Sequence, residues 1–237
     1  MTCFPPAMAD IDEWGDDGGF VVAIDGPAGA GKSTLARALA RRIGLPYINT
    51  GLMYRAVAAS ALARGVAPED GMGLAEIARD LRFALRGAGD VVELAIDGKR
   101  PDHDLASPEV EDVVSRTSSH PEVREVMRRE QRRLGERGCV MEGRDIGSVV
   151  FPDANVKIFL SALPRERLRR RRRERRTGEP VTDEAALVRR DALDNETNPL
   201  RPAPGAVVLD TTRLGPRDVL ARALQVVEAA GLKPAGP

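Results

Sequence analysis

Short apolar runs alternate along this chain with longer stretches in which apolar residues recur every three or four positions. Five runs predict buried strands, namely Phe20–Ile24, Leu45–Asn49, Cys139–Met141, Asn155–Leu160 and Ala206–Leu209. The stretches between them predict helices; in one, Leu35, Leu39 and Ile43 share a face and Gly44 is placed to end it. Alternating strands and helices indicate an α/β protein with a parallel sheet and helices on both faces.

Further helices are predicted from the same spacing and from their capping residues. Ser107 precedes Pro108 as an N-cap, and Thr182 precedes two acidic residues in the same way. The predicted ranges are Thr34–Ile43, Thr50 to near Gly65, Glu69–Leu81, a helix from Ser107, His120 to about Glu136, Pro164–Arg176, Thr182 to about Leu193, and Pro216–Ala230.

The pattern changes in the middle of the chain. Arg82–Arg86, Val91–Ile96 and Lys99–Pro101 are short strand-like pieces separated by turn residues. Asp97-Gly98, between two of them, is a strong hairpin signal. These pieces predict a small antiparallel insertion, within about residues 66–120, and not another strand-helix-strand unit.

Length and composition suit one domain of about residues 20–237 preceded by an acidic tail. Residues 1–19 hold five acids and no Lys or Arg, and they predict a disordered tail. The whole chain has a net charge of zero, so the remainder carries 36 − 31 = +5, which suits an anionic substrate. With two distant cysteines, no membrane-length apolar run and no visible secretory signal, we expect a cytoplasmic enzyme.

A glycine-rich stretch between the first strand and the first helix carries the strongest chemical signal. It fits G-x-x-x-x-G-K-[ST], the P-loop pattern, and it comprises Gly26, Pro27, Ala28, Gly29, Ala30, Gly31, Lys32 and Ser33, with Thr34 following. Glycines let the chain curl so that several backbone N–H groups face one phosphate. Lys32 is expected to reach the β- and γ-phosphates of ATP, and the Ser33 hydroxyl to bind Mg²⁺.

Other polar side chains follow strands that neighbour the P-loop strand. Arg55 and Arg144 are placed there, and a guanidinium binds phosphate bidentately without losing its charge. Two arginines facing the γ-phosphate indicate a second phosphate, that of the acceptor. Surface or structural roles are the alternative for each arginine taken alone.

The segment Arg165–Arg176 contains nine arginines and runs into the flexible tip at residues 177–180. A basic helix of this kind is typical of a lid that closes over phosphates, here about residues 164–182. The alternatives are a solvated helix face or a nucleic-acid patch. No aromatic residue interrupts the arginines, so base stacking has little support.

Taken together, the chain resembles the bacterial cytidylate kinases, the CMP/dCMP kinases of the nucleoside monophosphate kinase family with a P-loop NTPase fold. The resemblance spans about Val21–Leu224, and Gly143–Gly147 followed by Phe151–Ala154 is its most specific part. The matching segments are Ala23–Pro27 with the P-loop, Asn49–Arg55, Pro121–Arg124, Glu142–Gly147 with Val149–Ala154, Val156–Leu160, Arg189–Asp191 with Asp194, and Val208–Thr212.

The resemblance implies a three-layer α/β/α fold with an antiparallel monophosphate-binding insertion and an arginine-rich lid. It also implies transfer of phosphate from ATP to CMP and dCMP with Mg²⁺. We expect a monomer without nucleic-acid or membrane partners. Implied catalytic residues are Lys32, Arg144 and Arg190; implied acceptor-binding residues are Thr50, Gly51, Tyr54, Arg55, Arg144, Asp145, Arg190 and Asp194, with Asp145 on the cytosine side. Asp25 is assigned either to the Mg²⁺ shell or to structure.

The chain departs from the family pattern at Asp102 and Ala106, where the family has Ser and Arg, and at Thr197, where it has Arg. All three differences concern the acceptor site. Two other readings stay open from the residues alone: a P-loop kinase of another small acceptor, and a nucleotide-dependent switch or nucleic-acid binder. A GTP switch would need N-K-x-D, which is absent.

Overall fold

The computed structural model describes residues 19–88, 91–101, 103–174 and 200–232. Seven strands in these residues form one sheet in the order β3-β4-β2-β5-β1-β6-β7. They are β1 Val21–Asp25, β2 Tyr47–Asn49, β3 Phe83–Ala88, β4 Val91–Ile96, β5 Cys139–Gly143, β6 Val156–Ser161 and β7 Val207–Asp210. All neighbouring strands are parallel except β3 and β4, so the α/β prediction is confirmed.

Seven α-helices flank the sheet in the described part of the chain. They are α1 Lys32–Ile43, α2 Thr50–Arg64, α3 Gly71–Asp80, α4 Pro108–Ser119, α5 Pro121–Gly135, α6 Pro164–Glu174 and α7 Pro216–Ala229. Helices α1 and α7 cover one face of the sheet, and Leu39 and Val227 lie in the core between them and the sheet. Helices α2, α3 and α5 cover the other face, where Met53 and Met127 lie in a second core. These three layers are those that the sequence predicts, and Cys139 is buried among them.

Capping residues account for several helix ends. Gly44 ends α1 with a φ of 72°, a backbone conformation that side chains with a Cβ rarely adopt. Ser107 begins α4 as predicted, because its hydroxyl accepts from the Val110 N–H at 3.4 Å. Asn49 begins α2 in the same way, accepting from the Leu52 N–H at 3.3 Å, so α2 starts directly at the end of β2.

The antiparallel insertion is confirmed as a hairpin of β3 and β4, but it continues the main sheet, because Glu93 of β4 pairs in parallel with Tyr47 of β2. The third predicted piece is not a strand. Asp97-Gly98 forms the expected tight turn, yet only Lys99 pairs back, with Ile96. Strand β4 pairs with β3 on one side and with β2 on the other, so neither edge of β4 is open to a third strand formed by the residues after Gly98.

Strand register brings the predicted site segments to one edge of the sheet. Asp25 at the end of β1 pairs with Gly143 at the end of β5, and Asn49 at the end of β2 pairs with Glu142. The P-loop, the start of α2 and the turn after β5 therefore leave the sheet side by side. In parallel α/β sheets, ligands bind at this carboxyl edge. The predicted tail, the tip of the lid and the helix from Thr182 lie outside the described residues.

Candidate active site at the carboxyl edge of the sheet

The P-loop wraps around the N-terminus of α1 with a conformation that depends on glycine. Gly26 has a φ of +146°, and a Cβ there would lie 2.3 Å from the Leu160 carbonyl oxygen. Gly29 has a φ of +73°, and a Cβ there would lie 2.8 Å from the carbonyl oxygen of Arg167 on α6. Glycine at position 29 thus lets the arginine-rich helix approach the loop closely.

The Lys32 ammonium lies inside the curl of the loop, where it donates to the Pro27 carbonyl at 2.9 Å. Backbone N–H groups at a helix N-terminus, together with a lysine held in this position, make an anion-binding site. Asp25, directly before the loop, accepts from the N–H groups of Ile146 and Gly147 at 2.8 Å each. These bonds tie the P-loop strand to the turn after β5.

Burial raises the pKa of the Asp25 carboxyl from 3.8 to about 6, against the two backbone hydrogen bonds, which lower it. Asp145 nearby also raises this pKa, and Lys32 lowers it. The Asp25 side chain is buried and both of its oxygens are engaged, so its contacts are those of a structural residue.

Two cavities open on either side of the P-loop. The first has a volume of about 260 Å³ and lies between the loop, α2, α4 and the turn after β5. The predicted residues that line it are Ala28, Gly29, Lys32, Ser33, Thr50, Gly51, Tyr54, Arg55, Arg144 and Asp145. The structure therefore brings the P-loop and the predicted acceptor residues of the described chain into one space. Arg190 and Asp194 lie outside the described residues.

Arg144 is the side chain that joins the loop to the first cavity. Its Nη1 donates to the Gly26 carbonyl at 2.7 Å, which places the guanidinium beside the first residue of the P-loop. Arg55 lies across the cavity, where its Nη1 donates to the Leu105 carbonyl at 2.9 Å. Thr50 uses its hydroxyl for structure, because it donates to the Glu142 carbonyl at 2.8 Å.

Arg124 completes the wall of the first cavity that is farther from the P-loop. Its Nη2 lies 2.6 Å from Asp145 Oδ2, and only 12% of each side chain is exposed. Tyr54 lies in the field of both charges, and burial raises the pKa of its phenol, so the phenol stays protonated at neutral pH. A carboxylate paired with an arginine beside a tyrosine can exchange hydrogen bonds with a polar ring such as a nucleobase.

A second carboxylate, Glu142, lines the same cavity nearer to the P-loop. The Tyr47 hydroxyl donates to Glu142 Oε1 at 2.6 Å, and the Asn49 amide donates to Tyr47 at 3.3 Å. Burial raises the pKa of Tyr47 well above 10.0, so its proton remains in this bond. Glu142 is thus held in place at the end of the strand next to the P-loop strand.

The second cavity has a volume of about 340 Å³ and lies between the P-loop, α6 and the turn after β7. Among the predicted residues, Ala30, Gly31 and Thr34 line it, together with Arg169 and Arg170 of α6. Arg170 donates to the Thr211 side chain at 2.9 Å and to the Ala30 carbonyl at 3.3 Å. It therefore joins α6, the P-loop and the turn after β7.

Inward contacts occupy three of the arginines that the sequence places in the lid. Arg167 donates to the Ala28 carbonyl at 3.0 Å, Arg170 contacts Ala30, and Arg171 lies 3.2 Å from Glu111 of α4. Arg172 and Arg173 are exposed. Helix α6 thus presents arginines to both cavities, and the last two residues of the predicted helix, Arg175 and Arg176, lie outside the described residues.

Residue-level analysis of the sequence did not assign a role to Arg124, Glu111, Glu142 or Arg171. Arg124 is one of five arginines in α5, and only its place in the family segment Pro121–Arg124 separates it from the others. Its partner Asp145 is 21 residues away, so only the packing of α5 beside the turn after β5 reveals the pair. Glu111 and Arg171 depend in the same way on how α4 and α6 meet.

A P-loop at the carboxyl edge of a parallel sheet, with an arginine-lined cavity on one side and a second cavity on the other, defines a P-loop phosphotransferase. The match to known families is more specific. A family model described as cytidylate kinase matches residues 22–229. The chain belongs to the cytidylate kinase family.

Curated relatives agree over most of the chain. A cytidylate kinase of Roseiflexus castenholzii is 44% identical over 211 residues, which cover 85% of this chain and 90% of the relative. A cytidylate kinase of a Geobacter species is 43% identical, covering 86% and 91%. A cytidylate kinase of Solibacter usitatus is 45% identical, covering 88% and 92%. The sequence-based assignment to this family is therefore confirmed.

No helix in the described residues is long and apolar enough to cross a membrane. Within the described ranges, no three or more His, Cys, Asp or Glu side chains are grouped so that they could hold a metal ion.

Proposed function

We propose that this protein transfers the γ-phosphoryl group of ATP to CMP and to dCMP, giving ADP with CDP or dCDP. The observation that carries the proposal is the first cavity, in which the P-loop faces Arg55, Arg144 and the Arg124–Asp145 pair. Family membership and the names of the relatives support the same activity.

ATP is assigned to the P-loop and the second cavity. The loop N–H groups and Lys32 would bind its phosphates, which face the first cavity. Its nucleoside part would lie in the second cavity between α6 and residues 211–216, where Arg170 holds the cavity walls together. The proposed ATP-binding residues are those predicted from the sequence, Gly26 to Thr34, with Arg170 added.

CMP is assigned to the first cavity. Arg55 and Arg144 would bind its phosphate, and the Arg124–Asp145 pair would face cytosine, with Tyr54 beside them. The Asp145 carboxylate can accept from the cytosine amino group, whereas it would meet the lone pairs of uracil O4. Arg190 and Asp194 remain proposed acceptor residues on the basis of the resemblance alone.

Transfer itself requires little covalent chemistry from the protein. A phosphate oxygen of CMP forms a bond to the γ-phosphorus as the bond from that phosphorus to the β-bridging oxygen breaks, and ADP leaves with the electron pair. Lys32 and Arg144 line the first cavity and bond to the P-loop, where they would neutralise charge on the moving phosphoryl group. The cavity walls hold donor and acceptor in line.

Mg²⁺ fits the residues present. The Ser33 hydroxyl and the fixed Glu142 carboxylate line the same cavity, and Mg²⁺ usually takes one or two protein groups with substrate phosphates and water. When bound, the ion would offset the charge of the β- and γ-phosphates. Ser33 is therefore the proposed metal ligand, and Glu142 is added to it.

We expect the protein to act in the cytoplasm, as a monomer and without a nucleic-acid partner. The inward contacts of Arg167, Arg170 and Arg171 support this last point, since these guanidinium groups bind Ala28, Thr211 and Glu111 and do not lie on an open surface. A kinase of another acceptor receives less support, because the Arg124–Asp145 pair suits a nucleobase and the relatives are cytidylate kinases.

The direct test is to incubate the purified protein with ATP, Mg²⁺ and CMP and to separate the nucleotides by anion-exchange chromatography. CDP and ADP should appear in equal amounts, and dCDP should form when dCMP replaces CMP. Release of ADP and phosphate without CDP, or binding of oligonucleotides with steep salt dependence and no transfer, would contradict the proposal.

A further inference from the structure

Glu111, in the first turn of α4, joins three helices through one carboxylate oxygen. Its Oε1 lies 2.6 Å from Arg55 Nη2 of α2 and 3.2 Å from Arg171 Nη2 of α6. The three side chains are largely withdrawn from solvent, with 13% of Arg55, 25% of Glu111 and 19% of Arg171 exposed. Neither the P-loop pattern nor the arginines at the strand ends point to this residue.

The two arginines that meet Glu111 belong to the acceptor cavity. Arg55 and Arg171 both line it, whereas Glu111 is not among the described residues that do. The carboxylate thus lies behind the guanidinium groups, as seen from the cavity. The Glu111 carboxylate therefore leaves the space in front of the guanidinium groups open to a ligand. This position fits a residue that orients the arginines, and it does not fit an anion that occupies the ligand's place.

Electrostatics explains why an anion is needed there. Two guanidinium groups that approach one another repel, and a carboxylate between them offsets the repulsion and accepts a hydrogen bond from each. Arg55 is also fixed by its bond to the Leu105 carbonyl at 2.9 Å, so its plane is held at two points. Arg171 donates to the same carboxylate at 3.2 Å, so Glu111 ties α6 to α4 across the cavity wall.

We propose that Glu111 is a positioning residue for the acceptor phosphate. It orients Arg55 and Arg171 toward the cavity and holds α6 near α4, so that an incoming phosphate meets both guanidinium groups already in place. This inference rests on the proposed function and names the group that organises its acceptor site.

The test compares steady-state kinetics of the wild type with Glu111→Ala and Glu111→Gln. Glu111→Ala should raise the KM for CMP about tenfold or more, because the arginines lose their shared anchor. The change in kcat should stay within about threefold, and the KM for ATP should not change, since ATP binds on the other side of the loop. Glu111→Gln keeps an oxygen acceptor, so its KM for CMP should lie between those of the wild type and Glu111→Ala.

Asp112→Asn is the matched control. Asp112 is the next residue of α4 and is exposed, so this variant removes the same charge from the same helix turn without touching the arginines. It should keep the wild-type KM for CMP. Calorimetric titration of each variant with CMP in the absence of ATP should show the same order of affinities, which gives a readout independent of turnover.

The results separate this inference from the proposed function. If the wild type makes no CDP, the proposed function fails, and the role of Glu111 fails with it. If the wild type makes CDP and Glu111→Ala only lowers the melting temperature, the residue is a structural tie and the inference is wrong. A lower KM for CMP in Glu111→Ala would also overturn it, because Glu111 would then oppose the acceptor phosphate.

Discussion

Arg124 and Asp145 form an ion pair of 2.6 Å that joins helix α5 to the turn after β5. Both side chains line the acceptor cavity, and both are mostly withdrawn from solvent. Pairing with Arg124 fixes the orientation of the Asp145 carboxylate, so one of its oxygens can serve as a hydrogen-bond acceptor at a set position. A fixed acceptor is what discrimination between cytosine and uracil requires.

The first prediction concerns this pair. Asp145→Asn should raise the KM for CMP and reduce the preference for CMP over UMP about tenfold, because the amide presents both a donor and an acceptor. The ratio of kcat/KM for the two nucleotides measures the change. Asp153→Asn is a suitable control, since Asp153 is exposed and outside the cavity. If Asp145→Asn leaves the ratio of kcat/KM for CMP and UMP unchanged, Asp145 does not take part in base recognition.

The second prediction concerns Lys32, which lies inside the P-loop. Lys32→Ala should lower kcat on the order of 10²-fold or more, because positive charge at the γ-phosphoryl group is lost during transfer. The melting temperature should change little. The exposed Lys99, substituted as Lys99→Ala, controls for loss of a surface lysine and should retain wild-type turnover. Near-normal turnover by Lys32→Ala would refute the assignment of the loop to catalysis.

Much of this site could be predicted because it is local. The eight P-loop residues are contiguous, and β1 and α1 on either side of them follow from apolar spacing, so their geometry needs no long-range information. Arg55 and Arg144 could be placed because each follows a strand whose end meets the P-loop edge. Register between parallel strands is thus enough to assemble that half of the site.

The remaining residues depend on contacts between elements that are far apart in sequence. Glu111 meets Arg171 across 60 residues, and Arg170 meets Thr211 across 41. The packing angles of α4 and α6 set those distances, and a single sequence does not encode the angles in any short pattern. The position of the β3–β4 hairpin in the main sheet could not be predicted either. It depends on the pairing of β4 with β2, which leaves no signal in the local sequence of the hairpin.

The third prediction concerns the arginine-rich helix. Arg170→Gln should raise the KM for ATP several-fold, because Arg170 joins α6 to the P-loop and to the turn after β7. Arg172→Gln removes the same charge two residues later from an exposed position and should leave that KM unchanged. Kinetics with ATP varied at saturating CMP make the comparison. Equal effects of the two substitutions would indicate that only the overall charge of α6 matters.

The fourth prediction concerns pH. The pKa of Asp25 is raised from 3.8 to about 6 in the folded protein, so the native state binds more protons than the unfolded state between these pH values. The Asp25 contribution to stability is therefore fully present below about pH 4 and is lost as pH rises through about 6. Relative to Asp25→Asn, the wild type should lose up to about 3 kcal/mol of unfolding free energy across that range.

Urea unfolding of both proteins at several pH values measures this difference, since titration of other groups is common to the two. A difference that stays constant with pH would show that Asp25 has an ordinary pKa. A difference that grows in favour of the wild type as pH rises would show that the two backbone hydrogen bonds outweigh burial and lower the pKa instead.

The central claim is that the first cavity accepts a cytidine monophosphate, and an acceptor panel tests it most directly. The measurement is kcat/KM with saturating ATP and Mg²⁺ for CMP, dCMP, UMP, AMP and GMP, each varied separately. CMP and dCMP should exceed the other three by about tenfold or more, in keeping with base recognition by a fixed carboxylate. Equal use of UMP and CMP, or preference for a purine nucleotide, would contradict the account.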